Sequence, residues 1–248
     1  MSKNKPEQAL VKIILTALFA AICFVAISSF QIPLPSPVGK PFLHLGNLFV
    51  ILAALLFSGP VGGIAGALGM GLFDLTHGYT IYAPSTIILK LGMGLIVGYV
   101  ALKGKKENAK SPAKWILFSS VLLLAAGIGL MWISFVKGNE IHIKGIEGSL
   151  QIIPVLYIFS MILGALLLVA AIFANKFSVK LQYAVIAAVS AIALNLFGEL
   201  FFGALMMLLS GSAFVPALIG SAISLPATLI NGTFSIVGAV VLYIPLEK

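Results

Sequence analysis

Runs of about twenty apolar residues recur from one end of this chain to the other, and nothing else constrains its fold as tightly. A bilayer's hydrocarbon core is crossed by roughly 20 predominantly apolar residues of helix. Eight spans can be marked, the second and third of them short, at residues 13–30, 44–57, 61–75, 85–102, 115–135, 151–174, 181–209 and 215–244. Backbone polar groups in lipid must be satisfied internally, so spanning segments are helices or closed barrels. These runs are continuously apolar rather than alternating, which favours helices. Of the 248 residues, 60% are hydrophobic and 9% charged, where an ordinary globular domain is about one-quarter charged. The expectation is an all-α polytopic membrane helix bundle, a single integral membrane domain over residues 1–248.

The charge distribution predicts the orientation. All fifteen basic residues are Lys. With the N-terminus inside, the inner segments hold eleven of them, the outer loops only Lys40, Lys137 and Lys144, and Lys90 falls inside a span. Basic residues concentrate on the cytoplasmic side, so both termini are expected in the cytoplasm of a multi-pass plasma-membrane protein. The net charge of +8 is thereby accounted for, and no aromatic-plus-basic surface suited to nucleic acid is present. The basic N-terminus and its apolar run read as a retained first helix rather than a cleaved signal.

Glycine punctuates the second, third and fourth spans. Gly62 with Gly66, and Gly94 with Gly98, are four residues apart, the spacing that lets helix backbones approach closely. Charges inside a membrane are expensive and need a reason. Asp74 ends the third span, Lys90 lies about two turns into the fourth, and Glu199 lies deep in the seventh, one turn after Asn195. These groups either pair structurally, with Lys90 neutralising Asp74 or Glu199, or line one outward-facing polar cavity. Asn231 in the last span is a candidate wall residue, with interhelical hydrogen bonding as its plainer role. Tyr79 fits an interfacial aromatic belt and could stack on a flat ligand. His44 reads as a helix cap or anchor. Cys23 reads as a small packing residue.

Several functions find no support. No histidine stands in metal-ligand spacing, so no metal is expected. No GxxxxGK[ST] loop is present, so the chain cannot by itself power transport with ATP. No nucleophile–base arrangement points to an enzyme, and no cofactor is implied.

A family resemblance enters through residues 44–98. His44-Leu45-Gly46-Asn47, Gly59-Pro60, the glycine ladder, Asp74, Gly78-Tyr79, Ala83-Pro84-x-Thr86 and Lys90 together resemble the substrate-binding S components of energy-coupling factor (ECF) vitamin transporters, riboflavin-type. Asn195, Glu199 and the stretch from Leu225 to Gly232 resemble that family's last two helices more loosely. Ala17-x-x-x-Ala21 resembles the small-residue motif that S components press against the transmembrane coupling subunit. The resemblance implies a six-helix core, within residues 13–102 and 181–244, with an extra pair of transmembrane helices inserted at about residues 115–174. It implies capture of a water-soluble vitamin from outside, in a cavity closed by the loop at residues 31–41. It also implies association with a coupling subunit and two ATPases. Asp74, Tyr79, Lys90, Asn195, Glu199 and Asn231 are the expected ligand-cavity residues, and Ala17 and Ala21 the docking residues. The alternatives are a proton-coupled secondary transporter of a small polar metabolite, with Glu199 and Asp74 as relay groups, and a structural membrane protein in which the charges only hold helices together.

Overall fold

A computed structural model describes residues 5–33, 42–142, 149–151 and 154–247. The chain folds as a helix bundle: α1 (Lys5–Ser29), α2 (Gly46–Leu56), α3 (Gly59–Thr76), α4 (Ala83–Gly104), α5 (Ala113–Lys137), α6 (Pro154–Ile172), α7 (Val179–Leu209), α8 (Phe214–Ala222) and α9 (Leu225–Leu246). Among the described residues six segments are long and apolar enough to cross a membrane: Pro6–Ser29, Thr80–Gly104, Ala113–Lys137, Pro154–Ile172, Val179–Leu209 and Phe214–Leu246. Each expected span has a helical counterpart, but α3, the third, is not among these six, and two others depart further. The second is only 11 residues of helix, about 16 Å at 1.5 Å per residue, so α2 is far too short to cross alone. The last is broken into α8 and α9 at Ile223 and Ser224, with Pro226 in the first turn of α9; proline is tolerated there because the first turn has no intrahelical acceptor to lose.

Glycines let α3 sit at the centre of the N-terminal half. A Cβ on Gly94 would lie 2.1 Å from the Gly63 nitrogen, and one on Gly98 would lie 2.4 Å from the Gly59 nitrogen. At that crossing α3 and α4 touch backbone to backbone. The next face of α3 takes α2, with Gly62 against Ala54 and Gly66 against Val50. A third face takes α1, where a Cβ on Gly69 would meet the Ala20 carbonyl at 2.3 Å. Glycine on three faces of one helix is what permits three neighbours at backbone distance.

The C-terminal half completes the bundle. α7 lies along α4, and α9 packs on both α2 and α7. α5 and α6 pack mainly on each other. Ser120 Oγ donates to the Gly164 carbonyl (2.8 Å) between them, and β3 (Glu140–His142) pairs antiparallel with β4 (Ser149–Gln151) beyond the end of α5. This pair leans on the rest mainly through α6 against α9 and α5 against α7, as a peripheral hairpin would.

The α1–α2 connection is extended at both described ends. β1 (Ile32–Pro33) pairs antiparallel with β2 (Phe42–Leu43), with Ile32 opposite Leu43 and Pro33 opposite Phe42. The expected lid, residues 31–41, lies outside the described residues beyond Pro33.

Candidate functional site

Lys90 is the centre of the polar cluster. It is 4% exposed and lies on α4 where Gly66 lets α3 approach, its Cβ being 3.1 Å from the place a Gly66 Cβ would take. Its Nζ donates to Asn195 Oδ1 at 2.7 Å and lies 3.8 Å from Met93 Sδ. An ammonium has three donors, and a thioether is a weak acceptor, so one strong bond leaves Lys90 with capacity to spare.

The charge of Lys90 is felt by Glu199, Asp74 and Cys23, and also by His44. Groups from α1, α3, α4, α7 and the entry to α2 therefore converge on one region. Neither carboxylate reaches Lys90 within ion-pair distance; among the described residues the ion pair is Lys180 with Glu247, at 3.8 Å. Asp74 is 7% exposed. Thr86, one turn before Lys90, faces its carboxyl, yet Asp74 Oδ2 has no hydrogen-bond partner among the described residues. Glu199 is half-buried. Its neighbour α8 is pinned on by Ser221 Oγ, which donates to the backbone carbonyls of Glu199 (3.2 Å) and Leu200 (2.9 Å).

Asn231 does a distinct task. Its Oδ1 accepts from the His44 backbone N–H (2.8 Å) and its Nδ2 donates to the Phe42 carbonyl (2.9 Å). Extended backbone at this position would otherwise leave polar groups unmet inside the bundle. His44 Nδ1 in turn accepts from the Gly46 N–H (3.2 Å), so His44 caps the start of α2.

Aromatic rings cover this end. Phe73 stacks on His77 with centroids 4.3 Å apart and on Tyr79 at 5.9 Å. Phe42, brought in by β2, lies edge-on to Phe73 at 6.0 Å and tilted to Tyr79 at 5.9 Å. The Tyr79 N–H donates to the Asp74 carbonyl (3.0 Å). Tyr79 is thus fixed to the end of α3 that carries Asp74, with its ring only partly buried.

The six expected cavity residues divide accordingly. Lys90 and Asn195 touch, Asp74 and Glu199 stand within electrostatic reach of Lys90, Tyr79 belongs to the aromatic cover, and Asn231 holds the base of the first loop. Ala17 and Ala21 are exposed on α1, while Phe19, Cys23 and Ile27 of the same helix face inward. One buried residue was not singled out by charge or spacing. Asn47, in the first turn of α2, is 2% exposed and its Oδ1 has no partner among the described residues. Its signal in the sequence was its place in the His44–Asn47 motif of the family resemblance. A separate cavity of about 260 Å³ between α7 and α8, lined by apolar side chains such as Phe201, Leu205, Phe214 and Leu218, stands apart from this chemistry.

Ionisable groups buried inside a membrane bundle are costly, which makes this under-satisfied cluster beneath an aromatic cover the candidate functional site. Residues 7–152 match the family described as ECF-type riboflavin transporter, S component, and the chain belongs to that family. The matched range runs from α1 through α5 to β4. An uncharacterised protein from the gap 3' region of Pyrococcus woesei is 35% identical over 100 residues. That stretch is 40% of this chain and 66% of the relative, just under two thirds of its length. No solved structure matches the chain. Its apolar helices and this membership make it a multi-pass membrane protein of an ECF S-component family.

Proposed function

We propose that the chain captures a water-soluble vitamin from outside the cell at the polar cluster around Lys90 and passes it inward as part of an ECF-type ABC transporter. The observation that carries this reading is the state of the charges. Lys90 has one strong partner, Asn195, while Asp74 Oδ2 has none. A buried polar group left unmet costs about 1–3 kcal/mol, and more if charged. A ligand offering an acceptor to Lys90 and N–H or O–H donors to Asp74 and Glu199 would recover that cost. Tyr79 would lie against a flat face of the ligand, and Asn231 would set the first loop over it. Riboflavin is the vitamin the family description suggests; pyridoxine, pantothenate and folate are the comparisons to test against it.

Energy would come from partners. The exposed Ala17 and Ala21 give α1 a shallow face on which a helix of the coupling subunit can dock closely, and two ATPase subunits would drive the cycle. The lysine distribution supports cytoplasmic termini in the plasma membrane.

The test is mass spectrometry of small molecules that co-purify with the detergent-extracted protein, then titration of the best candidate. The expected result is a stoichiometric vitamin whose affinity falls at least about tenfold, the equivalent of one hydrogen bond to a charged group, in Lys90→Ala. A protein that binds no vitamin, or uptake that persists without an ATPase and collapses with an uncoupler, would overturn the proposal; the second outcome would favour proton-coupled transport.

A further inference from the structure

Three lysines at the end of the bundle opposite Tyr79 lie over exposed aromatic rings. Lys103 Nζ is 4.6 Å from the centre of the Tyr99 ring, Lys176 Nζ 5.2 Å from that of Phe173 and Lys114 Nζ 5.9 Å from that of Trp115. An ammonium within about 6 Å of a ring centre is attracted to the ring face. Tyr99 is near the end of α4, Trp115 at the start of α5 and Phe173 just past α6. The start of α7 gathers these ends. Gln182, 4% exposed, accepts from Ser111 Oγ ahead of α5. Its Nε2 donates to the carbonyls of Ala174 (2.7 Å) and Phe177 (3.1 Å) beyond α6. The next residue, Tyr183, packs on Gly104 at the end of α4. One buried amide thus ties together the two loops that carry the lysines. Residues 103–114 hold five lysines against one acid, Glu107. Among the described residues, none of Lys103, Lys114 and Lys176 has a carboxylate within ion-pair distance.

We infer that these three lysine–ring pairs form a binding surface for anionic phospholipid headgroups. Exposed rings at the ends of membrane spans sit at the level of the headgroups. A lysine folded back on such a ring keeps its ammonium at that level instead of extending it into water. Each ammonium there has donors to spare and no counter-charge from the protein. A lipid phosphodiester supplies both an acceptor and the charge. A zwitterionic headgroup brings its own ammonium and adds no net charge, so the surface selects lipids of net negative charge. An acidic protein surface would need no rings beside the lysines. Lys105, Lys106 and Lys110, exposed on the α4–α5 loop, would serve such a partner equally well. The inference is independent of vitamin capture, because the lysine–ring surface lies apart from the Lys90 cluster.

The chain's two tryptophans, Trp115 and Trp132, allow a local measurement. They stand at opposite ends of α5, about 25 Å apart at 1.5 Å per residue. The full-length protein is placed in phosphatidylcholine bilayers, and lipids brominated near the top of the acyl chain are added as quenchers, either phosphatidylglycerol or phosphatidylcholine. In Trp132→Phe, which leaves Trp115 as the probe, phosphatidylglycerol should be preferred by at least about fivefold, the contribution of one lysine at a membrane surface. Combining Lys103→Gln, Lys114→Gln and Lys176→Gln should abolish that preference. Combining Lys105→Gln, Lys106→Gln and Lys110→Gln removes the same charge from lysines without rings and should preserve it. In Trp115→Phe, Trp132 should report no preference. Equal quenching of Trp115 by the two lipids overturns the inference. So does an equal loss in both triple variants, which would mean diffuse surface charge, or the same preference at Trp132 as at Trp115. A first triple variant that keeps the lipid preference but no longer co-purifies with the coupling subunit also overturns it, in favour of an acidic protein partner. If that variant fails to fold, the contrast between Trp115 and Trp132 decides: a preference at Trp115 alone supports the inference, and its absence there overturns it.

Discussion

At the scale of single residues, the site is governed by what a buried ammonium requires. Lys90 spends one strong hydrogen bond on Asn195 and keeps both carboxylates beyond ion-pair distance. Removing Asn195 would strand a charge inside the bundle, whereas removing Lys90 strands only a neutral amide. Asn195→Leu should therefore lower the thermal stability of the ligand-free protein by about 1.5–3 kcal/mol, and Lys90→Met by much less, since replacing a buried charge with an apolar chain is often neutral. Thermal unfolding in detergent decides it: equal melting temperatures for the two variants would mean that the Lys90–Asn195 bond carries no stability. Position 47 belongs to the same scale. Asn47 carries no charge and enters the sequence reading only as a motif residue, whereas in the folded chain its buried Oδ1 has no hydrogen-bond partner among the described residues.

Among the helices, close approach is bought with glycine and is correspondingly fragile. A methyl group at Gly94 would collide with α3 backbone, while one at Gly129 on α5 meets nothing within 4 Å. Gly94→Ala should cost about 1–3 kcal/mol from overpacking, and Gly129→Ala should be neutral or gain up to about 1 kcal/mol from helix propensity. Size-exclusion profiles after a heating series would separate the two; similar behaviour would contradict the α3–α4 contact. The junction of β2 and α9 has its own test. Asn231→Leu removes the acceptor for the His44 N–H and the donor to the Phe42 carbonyl. Faster proteolysis within residues 31–45 and a raised ligand off-rate are expected, with helix content unchanged by circular dichroism. An off-rate matching the wild type would restrict Asn231 to a local role.

For the whole molecule, the predictions concern sidedness and docking. Cys23 is the chain's one cysteine and is fully buried, so the wild type should resist a membrane-impermeant maleimide. Thr80→Cys should then label in intact cells and Lys106→Cys only in inverted vesicles, both positions being exposed. The reverse pattern would invert the proposed orientation. A bulky residue on the outward face of α1, Ala21→Trp, should leave vitamin binding unchanged and reduce co-purification with the coupling subunit; intact assembly would move docking to another face.

Hydropathy is a local property, and the sequence alone therefore determined the membrane class, the helical segments and the identity of the costly intramembrane groups Asp74, Lys90 and Glu199. The Lys bias suggested an orientation for the same reason, since each lysine's solvation cost depends on its own segment. The family was legible in residues 44–98, where the glycine ladder and the polar positions fall close together in the chain. Partnership is different. The bond from Lys90 to Asn195 joins residues 105 positions apart, and that from His44 to Asn231 joins residues 187 apart. Which of several available polar groups Lys90 meets depends on how α4 and α7 cross, and no local pattern encodes that crossing. The same holds for the break between α8 and α9: an uninterrupted apolar run hides it, because lipid selects for apolarity whether or not the helix inside it is continuous. Tertiary packing alone assigned Asn231 to the base of the first loop and left Asn47 Oδ1 without a partner among the described residues, since a buried amide's needs are met or left open only by the backbone and side chains that the fold brings around it.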